Sequence, residues 1–419
     1  MPPAPSRDAD HHPEGSAPGR RVRRRWVLPL VSLAVAAAAV GGVVAATAGG
    51  GDGADHQVHP ADAGRAGGTS GAAIAGTVWV ANEDGGSLTA IDAASNTVST
   101  TVEGIEGPHN VQVAPDGRSL WAVSGHRSQA VMLDAGSLTL HGTVSTGAAP
   151  AHVIVTPDGR RAYNTNGADG TVTAIDTATM KVVATIPVGP GAHGLRPSPD
   201  GRWLYVADMA GATLSVIDLS DDRKVADVEV GKAPAQVAFS PDGRFVYASL
   251  SGADAVAKVD VATRRLVGTT KVGSTPIQTF VSPDGRLLLV ANQGTKDHPG
   301  TTVSVIDTAT FTVVDTVETG QGAHGVVVDP SSRYAYVTNL FSDDVAVLDL
   351  GTLQVVARVP VGDKPNGISF SPVRVGPQPP VKLDLPAMRD MTGPGGHATD
   401  GHAPAGTDQG GHSGVGDGG

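Results

Sequence analysis

Cysteine is absent from all 419 residues of the chain. This absence excludes disulfide bonds, thiolate catalysis and zinc sites built on cysteine, and it leaves the cellular compartment open. Glutamate is scarce in the central part of the chain, and no Ser-His-Asp spacing or phosphate-binding glycine loop occurs there. The sequence therefore offers little support for general acid–base catalysis.

Positive charge is also in short supply. The formal net charge is −11 at pH 7, and basic residues are concentrated near the N-terminus. Because a nucleic-acid ligand requires a basic protein face, we expect no nucleic acid as a partner.

No stretch of residues 76–372 shows the 3.6-residue apolar period of an amphipathic helix. This region instead repeats a Pro-Asp-Gly-Arg motif, whose aspartates follow one another at intervals of 42 residues: Asp116, Asp158, Asp200, Asp242 and Asp284. A sixth copy is degraded to 329–333 after a longer spacing, and a seventh survives as 371–372. Seven copies in one register predict a repeat fold.

Each repeat contains four short strands separated by Gly, Pro, Asp and Asn. Such units are typical of β-propeller blades, and seven is a usual number of blades. The first repeat lacks its innermost strand, which recurs at the far end as 366–370. We therefore predict an all-β, seven-bladed β-propeller over 76–372, closed by pairing of its N- and C-terminal strands and preceded by one N-terminal transmembrane or signal helix.

A short strand that usually ends in a polar residue recurs in the repeats, as in Tyr-Val-Thr-Asn at 336–339. These strands and the Ser-Pro-Asp-Gly turns resemble the YVTN-type β-propeller repeat proteins across all seven repeats. Leu289 replaces the usual aromatic in one repeat, and Leu250 replaces the terminal Asn or Asp in another. The resemblance implies the fold but no function, because such folds host many unrelated activities.

The N-terminal region predicts export. Residues 1–25 form a basic leader that we expect to be cytoplasmic, and the charge-free run 26–48 is long enough for the about 20 residues that span a bilayer. Arginines before this run and Asp52 and Asp55 after it favour an extracytoplasmic propeller anchored in the cell membrane. The alternative is a cleaved signal and a secreted protein, since Ala-Thr-Ala at 46–48 fits a cleavage site.

Two further segments lack the composition of a folded core. Residues 49–75 are rich in Gly, Ala, Asp and His and predict a flexible linker. Residues 373–419 are rich in Pro, Gly and His and predict a disordered tail.

One position of the repeat, just before the innermost strand, carries an imidazole or a carboxamide in every copy. In a propeller this loop lies on the rim of the central channel, so we expect the seven side chains to meet at one mouth. They are His109, His152, His193, Gln236, Gln278, His324 and Asn366. The loops between the second and third strands share this rim and contribute His126, His298 and Asp208.

Two interpretations of this position remain open. The side chains either hold adjacent blades in register through hydrogen bonds, or they bind a metal or another ligand. Convergent imidazoles without cysteine suit copper or zinc better than calcium or magnesium, and the candidate metal ligands are His109, His152, His193 and His324. The candidate ligand-binding residues of the rim are Gln236, Gln278, Asn366, His126, His298 and Asp208.

The tail contains a second group of soft ligands: Met388, Met391, His397, His402 and His412. Thioethers and imidazoles in flexible segments suit Cu(I). The alternative is a solvated tail in which these residues have no role.

An aspartate closes the third strand of every repeat, at Asp92, Asp134, Asp176, Asp218, Asp260, Asp307 and Asp349. Each precedes a short turn rich in small and hydroxylated residues, so we predict turn formation rather than catalysis for these carboxylates.

Three functions remain. Our prediction is a non-enzymatic scaffold, monomeric and without catalytic residues, that binds an unidentified protein or small molecule through its histidine-bearing rim. The first alternative is copper or zinc binding by the rim, the tail or both. The second is a hydrolase similar to the seven-bladed lactonases, which would need an acid–base pair such as Asp208 with His193.

Overall fold

The computed structural model describes residues 74–386, and all regular elements within this range are β-strands. They form seven blades, numbered here in chain order. Blade 1 consists of β1 (Thr77–Asn82), β2 (Ser87–Asp92) and β3 (Thr97–Glu103), together with β28 (Pro365–Ser371) and the short β29 (Val381–Lys382).

Blades 2 to 7 each contain four consecutive strands. Blade 2 contains β4 (Val111–Val113), β5 (Ser119–Ser124), β6 (Gln129–Asp134) and β7 (Leu140–Ser145), and blade 3 contains β8 (Pro150–Val155), β9 (Arg161–Asn166), β10 (Thr171–Asp176) and β11 (Lys181–Pro187). Blade 4 contains β12 (Ala192–Pro197), β13 (Trp203–Asp208), β14 (Thr213–Asp218) and β15 (Arg223–Glu229), and blade 5 contains β16 (Pro234–Phe239), β17 (Phe245–Leu250), β18 (Ala255–Asp260) and β19 (Arg265–Lys271). Blade 6 contains β20 (Pro276–Val281), β21 (Leu287–Gly294), β22 (Pro299–Asp307) and β23 (Thr312–Glu318), and blade 7 contains β24 (Ala323–Val328), β25 (Tyr334–Asn339), β26 (Asp344–Asp349) and β27 (Gln354–Pro360).

The innermost strands of the blades surround a central channel. They are β4, β8, β12, β16, β20, β24 and β28, and each contacts the inner strands of the two neighbouring blades. Within the four-stranded sheets, consecutive strands pair antiparallel. The ring is closed in blade 1, where β28 pairs with β1 through Thr77↔Ser371 and Val78↔Phe370. The predicted all-β, seven-bladed fold and its closure by strands from both ends are confirmed.

Large side chains at one repeated position fill the space between blades. Trp79, Trp121, Tyr163, Tyr205, Tyr247 and Tyr336 are at most 1 % exposed, and Leu289 takes the same position in blade 6 with no exposure. Both faces of the middle strands are buried because each blade packs face to face against the next, as in stacked sheets.

The aspartates of the repeat form turns, as predicted. In the Pro-Asp-Gly-Arg turn, Asp116 accepts hydrogen bonds from the backbone N–H groups of Arg118 and Ser119, at 2.8 and 3.1 Å. At the end of the third strand, Asp92 accepts hydrogen bonds from the backbone N–H groups of Ala94 and Ser95. These carboxylates stabilise local backbone and lie away from the histidines.

The predicted disorder of the tail is wrong for residues 373–386, which we call the strap. Its strand β29 pairs in parallel with β3, and Val375, Leu383 and Leu385 are buried against blades 1 and 2. Arg374 forms an ion pair with the buried carboxylate of Asp92, with Nη2 and Oδ2 2.5 Å apart. The strap is ordered because these apolar side chains, which alternate with prolines along the segment, pack into a groove that the strands of the repeats do not cover.

The strap runs from one face of the propeller to the other. The residue just before it, Pro372, packs on Gly117 in a Pro-Asp-Gly-Arg turn. The strap ends where Arg127 donates a hydrogen bond to the carbonyl of Leu385, and Gln129 to the carbonyl of Pro386. Arg127 directly follows His126 on the face where the channel histidines lie.

Several predictions concern residues outside the described range: the leader 1–25, the membrane or signal segment 26–48, linker residues 49–73 and tail residues 387–419. Within residues 74–386, no helix has the length and apolar character needed to cross a bilayer.

Candidate metal centre

The site residues lie at or just before the first residues of the seven inner strands. His109 precedes β4, while the other six occupy the second or third position of their strands: His152, His193, Gln236, Gln278, His324 and Asn366. Since the inner strands surround the channel, this common position brings the side chains together at one end, which we call the histidine mouth.

Three imidazoles form the centre of this group. His109, His152 and His193 each offer a ring nitrogen within 4.8 Å of the others. The Nε2 atoms of His109 and His193 are 3.2 Å apart. The ring centroid of His152 lies 4.7 Å from that of His193 and 5.5 Å from that of His109. The ring of His324 flanks the group, 6.3 Å from His109.

Neighbouring groups orient two of the rings. His193 Nδ1 donates to the backbone carbonyl of Ala235 at 2.8 Å, because that oxygen can only accept. His324 Nδ1 likewise donates to Gln293 Oε1 at 2.5 Å. In both rings Nε2 is therefore left with a free lone pair when the imidazole is neutral.

His109 can adopt either of two tautomers. Asn366 Nδ2 lies 3.0 Å from His109 Nδ1, and donation along this contact leaves the proton on Nε2, which then donates to His193. Glu83 Oε2 lies 3.5 Å from the same Nδ1, and a proton on Nδ1 directed at this carboxylate frees Nε2 as a ligand. The second arrangement is the carboxylate–histidine pair that commonly supports a bound metal.

Burial favours the neutral form of His152, His193 and His324. Desolvation, reinforced by the charge of His109, lowers the pKa of His193 to about 4. Desolvation, reinforced by the charges of His109 and His193, lowers the pKa of His324 to about 3. The pKa of His152 falls well below its usual value for the same reasons, burial first and then the neighbouring His193. Neutral imidazole is the form that binds a metal.

Glu83 supplies the negative charge. Burial acts to raise its pKa, but hydrogen bonds from His109 and Asn366 and the charges of His109 and Lys364 outweigh burial and lower it to about 2. Its carboxylate is thus ionised at neutral pH, beside the ring of His109.

Two imidazole nitrogens at the mouth are buried without a hydrogen-bond partner in the described part of the chain: His152 Nε2 and His324 Nε2. Gln278 Nε2 is in the same condition. Buried polar atoms are normally paired, and single unpaired atoms also occur inside the blades, such as Asn164 Oδ1 and Tyr336 Oη, so the mouth differs in having several of them close together.

A cavity of about 500 Å³ opens above the cluster. Glu83, His109 and His193 line it, together with Met209, exposed His126 and a series of glycine and alanine residues. Its lining is mostly apolar, with the polar groups concentrated at the cluster.

The remaining predicted rim residues have different surroundings. Gln236 accepts a hydrogen bond from the backbone of Val237 and places its amide 3.4 Å from His152 Nδ1. His298 is exposed at the tip of the β21–β22 hairpin and does not line the cavity. Predicted ligands Met388, Met391, His397, His402 and His412 lie outside the described residues.

The hydrolase alternative requires Asp208 to pair with His193, and the structure does not show this pairing. Asp208 has no exposed surface and accepts hydrogen bonds from Thr213, Ser215 and the backbone of Gly189 within and beside its blade. Among the described hydrogen bonds none joins it to His193. Asp208 therefore takes the place that Asn82, Asn166, Asn292 and Asn339 hold in other blades, where they bond to hydroxyls and loop backbone.

Sequence reasoning missed Glu83 and Gln293 because each occurs in a single blade and leaves no repeat signal. It also missed the glycine that follows the site residue in three blades: Gly194, Gly325 and Gly367. A Cβ at Gly194 would lie 2.6 Å from the carbonyl oxygen of Ala235 on the next inner strand. The recurring His-Gly and Asn-Gly pairs were a visible signal of this close approach.

Comparison with known proteins supports the fold. A family model for YNCE-like β-propellers matches residues 128–378. No curated protein matches the chain in sequence. Hydrazine synthase of Kuenenia stuttgartiensis is similar in structure, with a TM-score of 0.59 and 25% identity, over 64% of this chain and 90% of that one.

Two structures with lower sequence identity show similarity of fold alone. A functionally unknown protein from Desulfotomaculum acetoxidans DSM 771 has a TM-score of 0.63 and 15% identity, over 73% of this chain and 100% of that one. Dihydro-heme d1 dehydrogenase NirN, in complex with DHE, has a TM-score of 0.54 and 17% identity, over 70% of this chain and 74% of that one. Because the family model matches more than half of the chain, the protein belongs to the YNCE-like β-propeller family.

Proposed function

We propose that the protein binds one transition-metal ion, copper or zinc, through His109, His152 and His193 at the histidine mouth. The observation that carries this proposal is the 3.2 Å separation of His109 Nε2 and His193 Nε2, with a nitrogen of His152 within 4.8 Å. Two nitrogens bound to one tetrahedral zinc ion at about 2.0–2.1 Å lie about 3.3 Å apart. The rings of His109 and His193 need little rearrangement to hold an ion, and binding of the ion would draw a nitrogen of His152 closer to them.

Hydrogen bonding alone accounts for only part of the cluster. It explains the amides of Gln236 and Asn366, which bond to imidazoles two blades or one blade away. It leaves His152 Nε2 and His324 Nε2 buried and unpaired, at about 1–3 kcal/mol for each atom. A metal ion bound by His152 removes one of these costs and makes the cluster a functional site.

The donor set narrows the choice of ion. Three imidazole ligands suit copper or zinc, whereas calcium and magnesium prefer oxygen ligands. Glu83 and the carbonyl of Ala235 lie behind two of the rings and would hold them in orientation. When bound, the ion would act as a Lewis acid at the floor of the cavity.

The cavity supports ligand binding at this site. Three protein ligands leave a coordination position open in tetrahedral sites that react with small molecules, and the cavity of about 500 Å³ provides access. We therefore retain the predicted ligand-binding role of the rim and assign it to the metal. The hydrolase alternative is not proposed, because Asp208 bonds within its blade instead of to His193.

Location and the role of the tail are proposed from the sequence. The charge-free run 26–48 supports a membrane-anchored or secreted protein with the propeller outside the cytoplasm. The described chain ends at Pro386, bonded to Gln129 near His126. Met388 is two residues further on, and the thioethers and imidazoles of the tail sequence support a proposed role in supplying copper to the histidine mouth.

The test is metal analysis of the full chain purified through a tag without histidine. We expect one copper or zinc ion per chain, retained when the chain is truncated after Pro386 and lost in His152→Asn and His193→Asn. His141→Asn and His298→Asn, at exposed positions outside the cluster, serve as matched controls and keep the metal. Metal that disappears with the tail alone, or a metal-free full chain after exposure to both ions, would contradict the proposal.

A further inference from the structure

The other end of the channel contains a second cavity, of about 300 Å³. Residues of the inner strands line it, including Arg196 of β12, Gln112 of β4, Phe280 of β20 and Ile368 of β28. Pro283 and Pro330 of the turn motifs also line it, so it opens on the face opposite the histidine mouth. Apart from Arg196, Gln112 and Ser369, its lining is apolar.

Arg196 is the unusual group in this cavity. Its only side-chain hydrogen bond within the described chain runs from Nη1 to Gln112 Oε1 at 2.9 Å. Gln112 is two blades away, so this bond crosses the channel and places the guanidinium near the axis. The amide is itself oriented, because Gln112 Nε2 donates to the carbonyl of Val113 at 2.9 Å.

No counter-ion accompanies this arginine. Of the ion pairs formed by residues 74–386 none involves Arg196, and no aromatic ring stacks on it. Burial alone acts on its pKa, lowering it to about 10, and arginine stays charged at neutral pH. A largely buried guanidinium with most of its donors unpaired by protein groups favours binding of an anion.

We propose that Arg196 and the surrounding apolar side chains form a binding site for a small organic acid, with its carboxylate on the guanidinium and its apolar body against Phe280, Ile368 and Phe370. The planar guanidinium presents two parallel N–H groups that match the two oxygens of a carboxylate. Ser369, in the same lining, accepts from the backbone of Val113, and its own O–H has no acceptor among the described hydrogen bonds.

The apolar lining distinguishes this ligand from an inorganic anion. Phosphate or sulfate would need donors on several sides, whereas the cavity offers one cation and mostly aliphatic and aromatic surface. A monocarboxylate with a hydrocarbon body satisfies both parts of the lining. The volume of the cavity lies at the lower end of the range of small-molecule sites.

This site is separate from the proposed metal centre and does not rest on it. Arg196 follows His193 by three residues along β12, which corresponds to about 10 Å of strand. The two cavities share no lining residue. The charge of Arg196 still contributes to lowering the pKa of His152, so each site is tested with variants of its own residues.

Calorimetric titration of the full chain with benzoate tests the proposal, with the near-isosteric neutral benzamide and with sulfate as comparison ligands. We expect saturable benzoate binding, and binding of benzamide weaker by about tenfold or more, since a charge-assisted hydrogen-bonded contact is lost. Arg196→Met should weaken benzoate by about tenfold or more for the same reason. Ile368→Trp, which fills the cavity and keeps the charge, should also abolish binding.

Two controls make the result specific. Arg118→Met removes an exposed arginine of a turn and should leave benzoate affinity unchanged. Treatment of the full chain with a chelator should also leave it unchanged, whereas loss of binding after that treatment would place benzoate on a bound metal and overturn the proposal. Equal affinities for benzoate and benzamide, sulfate binding as tight as benzoate, or no saturable binding would overturn it as well.

Discussion

At the scale of single residues, one repeat position gives side chains with different environments. His152 and His324 are 2 % and 5 % exposed, whereas His109 and His193 keep part of their surface open to the cavity. Residues that occur once add to this difference in environment, above all Glu83 beside His109. The repeat supplies the ring of side chains, and the unique neighbours orient individual imidazoles.

The neutral imidazoles predict a pH dependence of stability in the metal-free protein. The pKa of His193 falls from 6.5 to about 4 on folding, and that of His324 to about 3. Between these values the unfolded chain binds more protons than the folded chain, so stability is complete above pH 6.5 and is lost as pH falls toward 4. Each of the two imidazoles should lower the free energy of unfolding by about 1–3 kcal/mol at the low end of this pH range.

Thermal unfolding of chelator-treated protein between pH 6.5 and 4 measures this effect. His193→Asn removes one titrating group and should give a shallower dependence, while His141→Asn, on the exposed outer strand, should keep the slope of the parent. A midpoint independent of pH in this window, or an unchanged slope in His193→Asn, would contradict the burial of neutral imidazoles.

The sequence predicted the site position but not the direction of every side chain. Alignment of the repeats placed His109, His152 and His193 on one rim, because phase along a strand is preserved from blade to blade. It placed Asp208 on the same rim without showing that its carboxylate bonds back to Thr213 and Ser215. Direction depends on partners from adjacent strands, which a single sequence does not reveal.

At the scale of strands, the spacing between inner strands depends on glycine. Gly194 follows His193 and faces the next inner strand, where a Cβ would meet the carbonyl oxygen of Ala235 at 2.6 Å. That oxygen is the acceptor of His193 Nδ1. The same glycine thus sets both the packing of two blades and the orientation of a proposed metal ligand.

Gly194→Ala should therefore affect stability and metal binding together. Overpacking at this contact is expected to cost about 1–3 kcal/mol, and displacement of Ala235 should weaken the metal by about tenfold or more. Gly268→Ala is the matched control, because a Cβ there meets nothing within 4 Å. The measurements are the unfolding midpoint and a metal competition titration. Equal behaviour of the two variants would refute the role of this contact.

The strap is the element that the sequence did not predict. It belongs to no repeat, and its prolines and glycines resemble those of a disordered segment. Its order comes from pairing of Val381 with Val102, the Arg374–Asp92 ion pair and three buried apolar side chains. These contacts join residues about 280 positions apart, a separation at which local sequence patterns give no signal.

Two truncations measure the contribution of the strap. A chain ending at Pro386 keeps Val375, Leu383 and Leu385 in place, while a chain ending at Pro372 exposes the groove they cover. We expect the shorter chain to lose about 3–6 kcal/mol of stability relative to the longer one, from apolar burial less the entropy of ordering the segment. Equal denaturation midpoints for the two chains would show that the strap contributes nothing to the fold.

At the scale of the whole molecule, the ring gives the channel two chemically distinct ends. The sequence allowed the number of blades and the closure to be predicted, because both follow from phase and from the missing strand of the first repeat. It did not show that the inner strand β12 reaches both cavities, with His193 lining one and Arg196 lining the other. Seven-fold repetition builds the channel, and departures from repetition give each mouth its chemistry.

The central claim is that the histidine mouth is a metal centre. Crystals of the full chain loaded with copper or zinc, measured at the absorption edge of the bound metal, test it most directly. We predict an anomalous peak within bonding distance of His109 Nε2, His193 Nε2 and a nitrogen of His152, which is about 2.0–2.1 Å for zinc. Crystals loaded in the same way that show no peak there, with His109 and His193 still hydrogen-bonded to each other, would contradict it.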